Sequence, residues 1–190
     1  MQRGPVMSVG RGFEPIGSET TWQGQVITAG VAHYRHADGA VVARDKVWHP
    51  GAVGILAVDD QHVWLTRQPR EVAGLVASLE VPAGKLDVPG EPPEAAARRE
   101  LDEEIAKVAG SWRQIAAFYS SPGFTDERII LYLAQGLSDS PGDAHGEEDE
   151  RIEIIRWPLD DLDAAIAESE DAKTGIALLW LARARLRGEL

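Results

Sequence analysis

The period of the hydrophobic pattern changes several times along this chain, and each change marks an element. From Thr20, three short pieces, TTWQGQVITAG, VAHYRH and AVVARDKVWH, alternate β-branched or aromatic residues with polar ones and read as strands. Ala37-Asp38-Gly39, between the last two, carries a hairpin-turn signal. Ala52 to Val58 is a continuous apolar run, as expected of a buried central strand. The turn Asp59-Asp60 and a second strand, His62 to Thr66, follow it. Further strands are expected at Ser78–Ala83, Gln114–Ser120, Arg128–Gln135 and Ile152–Trp157.

Helical spacing replaces alternation in three places. One helix begins near Pro92, where Pro92 and Pro93 suit a first turn that leaves its N–H groups unpaired anyway. Ala97, Leu101, Ile105 and Val108 make its apolar face, and Gly110 is its expected stop. A second helix opens at Pro158-Leu159-Asp160-Asp161, turns Leu162, Ala165 and Ile166 inward and ends near Glu170. A third, Ala172 to Arg187, has Asp171 as N-cap, Gly188 as stop and the apolar stripe Ile176, Leu179, Trp180 and Ala184. Residues 1 to about 15, rich in Gly, Arg and Pro, read as a flexible arm.

The first helix carries the chemistry. Glu100 and Glu104 are one turn apart on one side, with Glu103 beside Glu100. At roughly 100° per residue, Glu104 lies about 55° from the centre of the apolar face and is expected to be half-buried. Like charges at these spacings repel by a few tenths of a kcal/mol per pair, and burial raises the cost. A divalent cation reverses the sign, because Mg²⁺ is held by a few carboxylates together with substrate phosphates. Most glutamate clusters are simply solvated helix faces, so the helix alone leaves both readings open.

Composition narrows the setting. The 190 residues carry 19 Lys and Arg against 31 Asp and Glu, a net charge of −12, which opposes binding to nucleic acid or anionic membranes. It does not oppose a phosphate substrate that arrives with Mg²⁺. The absence of cysteine excludes disulfides and thiolate metal sites. With no apolar run long enough to span a bilayer, a cytoplasmic protein is the expectation.

The stretch from Gly84 to Lys107 resembles the Nudix box, Gly-x5-Glu-x7-Arg-Glu-(apolar)-x-Glu-Glu-x-Gly-(apolar). Gly84, Glu91, Arg99, Glu100, Leu101, Glu103 and Glu104 match it. There are two departures: one extra residue around Val88-Pro89-Gly90, and Ala106-Lys107 where the pattern has Gly and an apolar residue. Thr66-Arg67-Gln68-Pro69-Arg70 and Ser121-Pro122-Gly123-Phe124-Thr125-Asp126-Glu127 are similar to segments of the ADP-ribose pyrophosphatase branch of that family. The C-terminal DAKTGIALLWLARAR is similar as well.

This resemblance implies an α/β/α sandwich with a mixed sheet over residues 49–190, preceded by a small antiparallel β subdomain over 16–48. It implies Mg²⁺-dependent hydrolysis of ADP-ribose to AMP and ribose 5-phosphate, with Mn²⁺ able to substitute. Glu100, Glu103, Glu104 and the Ala83 carbonyl would be metal ligands, and Arg99 would hold the carboxylates, Glu91 included. Glu150, or second Glu148, would orient the attacking water. Arg70 would bind phosphate, and Gly123, Phe124 and Glu127 would belong to the ribose-phosphate end of the pocket. Trp22 would stack on adenine, although tryptophans are most often core or interface residues. A homodimer in which the N-terminal segment reaches across is implied too.

Two other functions stay open: a Nudix pyrophosphatase for nucleotide sugars or other nucleoside diphosphates, and a non-catalytic domain that senses ADP-ribose or a related nucleotide. Other chemistries lack support. The five histidines show no zinc spacing. No serine sits in a G-x-S-x-G elbow, and no G-K-[ST] completes a P-loop.

Overall fold

The structure, a computed structural model, describes residues 12–141 and 151–190. It divides into two compact units, one built from the chain up to His49 with Ser121–Glu127, the other from Pro50–Ser120 with Arg128–Leu190.

The first unit is an antiparallel sheet of β1 (Phe13–Gln23), β2 (Thr28–His36) and β3 (Val41–Trp48), in the order β1-β2-β3. The piece TTWQGQVITAG is therefore two strands, broken where the Gly24 N–H donates to the Ile27 carbonyl. β1 also starts at Phe13, within the stretch expected to be an arm. Ser121–Glu127 joins this unit through main-chain bonds. Val47 N–H donates to the Phe124 carbonyl, and Asp126 N–H to the Val47 carbonyl. The Asp126 carboxylate accepts from His49 N–H and pairs with Lys46 at 2.8 Å. Burial would raise the Asp126 pKa, but these donors outweigh it and lower it.

The second unit holds a seven-stranded mixed sheet. Its strands are β4 (Ala52–Val58), β5 (His62–Arg70), β6 (Leu75–Glu80), β7 (Ala83–Lys85), β8 (Lys107–Tyr119), β9 (Arg128–Asp139) and β10 (Glu153–Pro158). The order is β10-β5-β4-β9-β8, with β6 paired to β5 and β7 to β4. β4 and β9 run parallel, and the other pairs are antiparallel. Helix α1 (Pro93–Ile105) packs with Val53, Ile55 and Ala57 of β4. Helices α2 (Leu162–Glu168) and α3 (Ala172–Leu186) belong to the core on the opposite face, with Leu56, Val58, Leu131 and Leu133. Alternation along β4 thus feeds two cores, which is why its sequence is apolar at nearly every position. The expected α/β/α sandwich is present. Among the described residues no helix is long and apolar enough to cross a membrane.

Two helices differ from expectation. α1 stops at Ile105 rather than running towards Gly110, and Val108 lies on β8, exposed. The stop is Ala106, left-handed at φ 51°, whose N–H donates to the Asp102 carbonyl. On α3 the buried residues are Lys173, Thr174, Ala177, Leu178, Leu181 and Ala184, while Ile176 and Leu179 are exposed. Only Ala184 of the expected stripe is fully buried, with Trp180 partly so. The helix is apolar on nearly all sides, so periodicity does not single out its inner face. Asp171 does cap it, accepting from Thr174 N–H at 2.9 Å.

Candidate active site

Helix α1 and the β6–β7 segment hold the acidic residues in place. Pro92 is the extended N-cap and Pro93 the first helical residue, so the helix begins with two residues that have no N–H to leave unpaired. The extra residue before it is taken up by a turn: Pro89 is followed by Gly90 at φ 80°, and Glu91 N–H donates to the Val88 carbonyl at 3.1 Å. Proline followed by a left-handed glycine is the type II pattern. Because the turn absorbs the insertion, Glu91 still reaches Arg99.

Arg99 is the electrostatic centre of the helix. Its guanidinium contacts Glu103 at 2.7 Å, Glu100 at 2.8 Å and Glu91 at 3.4 Å. Burial pulls its pKa down, but the three carboxylates outweigh burial and raise it. One cation thereby offsets the repulsion that Glu100 and Glu103 would otherwise feel.

Glu104 is more deeply placed than its helical angle indicates, at 4% exposed. One carboxylate oxygen accepts from the Ala83 N–H at 3.2 Å, which ties α1 to the start of β7. Glu100 is seated against Gly84. A Cβ built on Gly84 would stand 1.9 Å from Glu100 Cδ, so only glycine leaves room for that carboxylate. β7 is held in turn by pairing with β4, Gly84 opposite Val53 and Ala83 opposite Gly54.

These residues bring together hard oxygen donors on one helix face beside a main-chain strand. No group of three or more acidic or histidine side chains among the described residues converges into a cage. That donor set suits an ion which keeps waters and takes substrate oxygens, as Mg²⁺ does, rather than one enclosed by protein. Glu100 and Glu104 fit it best, one cradled by Gly84 and one oriented by Ala83.

Arg70, at the end of β5, is in the same unit. Its Nε and Nη2 donate to the two carboxylate oxygens of Glu80, each at 2.7 Å. Glu80 is 2% exposed and also accepts from Lys173 Nζ at 2.5 Å. Burial would raise the Glu80 pKa, but the Arg70 and Lys173 contacts hold it down at about 2. Arg70 is raised in turn, chiefly by its bonds to Glu80, with Glu104 among the charges that act on it. The sequence reading missed Glu80 and Lys173. The signal was there: Glu80 is the one charged residue of the strand LVASLE.

Trp22, Gly123, Phe124 and Glu127 are in the other unit. Trp22 lies exposed on β1. Phe124 is exposed, with its carbonyl accepting from β3. Glu127 approaches His49 at 3.7 Å, and no side chain stands within 4 Å of a Cβ built on Gly123. Glu148 and Glu150 lie outside the described residues.

The chain is similar to known proteins along most of its length. An ADP-ribose pyrophosphatase of Bacillus subtilis (strain 168) is 38% identical over 87% of this chain and 90% of its own length. A methanol dehydrogenase activator of Bacillus methanolicus is 36% identical over 91% of this chain and 95% of its own. The crystal structure of an ADP compounds hydrolase superposes with a TM-score of 0.77 at 25% identity, covering 93% of this chain and 95% of that one. The NUDIX domain family matches residues 48–178, which span α1, β7 and the whole Gly84–Lys107 motif. The chain belongs to the NUDIX domain family.

Proposed function

We propose that this protein is a hydrolase that cleaves the diphosphate bond of ADP-ribose to give AMP and ribose 5-phosphate. The observation that carries the reading is the placement of Glu104 on the Ala83 N–H and Glu100 over Gly84, with Arg99 beside them. It is joined by 38% identity to an ADP-ribose pyrophosphatase over nearly that enzyme's full length.

The chemistry follows from charge. A diphosphate repels nucleophiles until its oxygens are neutralised. Glu100, Glu104 and the Ala83 carbonyl would hold Mg²⁺, or Mn²⁺ in its place, and Glu103 a further ion. When bound, the metal polarises the phosphoryl oxygen and sharpens a bound water. The chain's own residues do the rest. Arg99 fixes Glu100 and Glu103 through charge-assisted bonds. Arg70 receives a substrate phosphate. Glu150, or Glu148, orients the attacking water and accepts its proton. Gly123, Phe124 and Glu127 contribute to the ribose-phosphate end, and Trp22 stacks on adenine.

The working form is a homodimer. β1 is an edge strand exposed along its whole length, with Phe13, Ile16 and Trp22 all open to solvent. Such an edge with apolar side chains suits a second copy of the chain. The place of action is the cytoplasm, in keeping with a chain that uses no cysteine.

A substrate panel with product identification tests the reading. ADP-ribose, nucleotide sugars and dinucleotides would each be incubated with Mg²⁺ and the products separated by anion exchange. ADP-ribose is expected to give the highest kcat/KM, with AMP and ribose 5-phosphate as products. A nucleotide sugar hydrolysed faster would move the assignment to that substrate, and tight binding without turnover would make the protein a sensor.

A further inference from the structure

The Glu80 carboxylate is almost fully buried, and two cations from different parts of the chain meet on it. Leu79 and Val81 belong to the core shared with α2 and α3. Strand alternation therefore turns Ser78 and Glu80 to the other face of the sheet, the face that carries α1. Register places Thr66 and Gln68 of β5 opposite Glu80 and Ser78, and all four are buried. Arg70 follows Gln68 past a break in register and turns back onto Glu80.

The geometry of the Arg70–Glu80 pair is specific. The carboxylate takes the Nε side of the guanidinium, using two of the five N–H donors of an arginine. The remaining N–H groups point away from that fork, and the Arg70 side chain is 44% exposed. A planar guanidinium gripped along its Nε–Nη2 edge has little freedom to rotate, and its terminal edge, formed by Nη1 and the second N–H of Nη2, presents a further fork of the kind that matches phosphate oxygens.

Glu80 is itself held. Lys173 Nζ donates to the oxygen that Arg70 Nη2 uses, and it also contacts Asp171 at 3.0 Å. Thr174, next along α3, donates its hydroxyl to Asp171 at 2.6 Å and accepts from Val81 N–H at 2.8 Å. The first turn of α3 is thus pinned to the residue after Glu80. A few residues further on, the same segment supplies Ala83 N–H to Glu104 and Gly84 to Glu100. One short stretch of chain sets both Arg70 and the acidic residues of α1.

We propose that Glu80 and Lys173 are positioning residues that lock Arg70 edge-on, so that its free edge receives a phosphate group of the substrate. This rests on the reading of Arg70 as a phosphate contact. Both residues act through Arg70 and touch no substrate themselves.

The test is a double-mutant cycle on the full-length protein, with ADP-ribose, Mg²⁺ and thermal melting as a control for folding. Arg70→Ala, Glu80→Gln and Lys173→Met are each expected to raise KM by about tenfold while kcat changes by less than about threefold. In the Arg70→Ala background, Glu80→Gln and Lys173→Met are expected to raise KM no further, because a residue that acts only through Arg70 has nothing left to position. Additive effects would overturn the proposal, as would wild-type KM in Glu80→Gln or Lys173→Met when Arg70→Ala raises it. Wild-type KM in Arg70→Ala would instead reject the phosphate contact and the proposal with it, and that single variant separates the two failures. Should Glu80→Gln not fold, Lys173→Met, which keeps the Glu80 carboxylate but removes the bond that holds it against Arg70, carries the same test.

Discussion

A methyl group at Gly84 would stand 1.9 Å from Glu100 Cδ, so Gly84→Ala forces the carboxylate out of its seat. The displaced atoms are the end of a flexible side chain, so the fold should absorb the change with a small shift in Tm. Activity should not. If Glu100 works from its present position, kcat/KM is expected to fall by about tenfold or more; unchanged kcat/KM would mean the seat has no functional role. Glycine was readable here as part of a spaced motif, and so were Glu91, Arg99, Glu100, Glu103 and Glu104, because their relation is local to one loop and one helix. The Arg70–Glu80–Lys173 cluster was not readable, since Glu80 and Lys173 are 93 residues apart. Nothing in the spacing of two such residues says that they meet.

Among the elements, α1 shows both sides of this. Its start followed from two prolines, whereas its end did not, because Ala106 occupies a left-handed conformation that glycine adopts far more readily. Ala106→Gly is accordingly expected to stabilise the protein by about 0.5–1 kcal/mol, read as a Tm increase of about 1–4 °C. A lower Tm would contradict the strain argument. The start of β1, before Thr20, was not recognised among the strand pieces for a related reason. All its residues are exposed and it contains Pro15 and Gly17, so it lacks the one-sided alternation by which strands are recognised. On α3 the difficulty was the reverse, with too many apolar positions to show which side faces inward.

For the whole molecule, the separate elements were legible because strands and helices carry distinct periods and one strand, β4, is apolar throughout, whereas the sandwich they build was implied by the resemblance of the Gly84–Lys107 motif. The membership of Ser121–Glu127 in the N-terminal unit was not, because it depends on main-chain bonds to β3 from residues far along the chain. The exposed edge at β1 leads to an expectation at this scale. Sedimentation equilibrium at micromolar protein should give a mass of twice 20.6 kDa; a monomer mass would leave β1 without the proposed partner. The central claim, that Glu104 belongs to metal-dependent hydrolysis of ADP-ribose, is tested most directly by AMP release from ADP-ribose in wild type and Glu104→Gln, each with Mg²⁺ and with EDTA. The wild type is expected to turn over with Mg²⁺ and stop in EDTA, and Glu104→Gln to lose at least about a hundredfold in kcat while remaining folded. Turnover in EDTA, or near-normal kcat in Glu104→Gln, would contradict it.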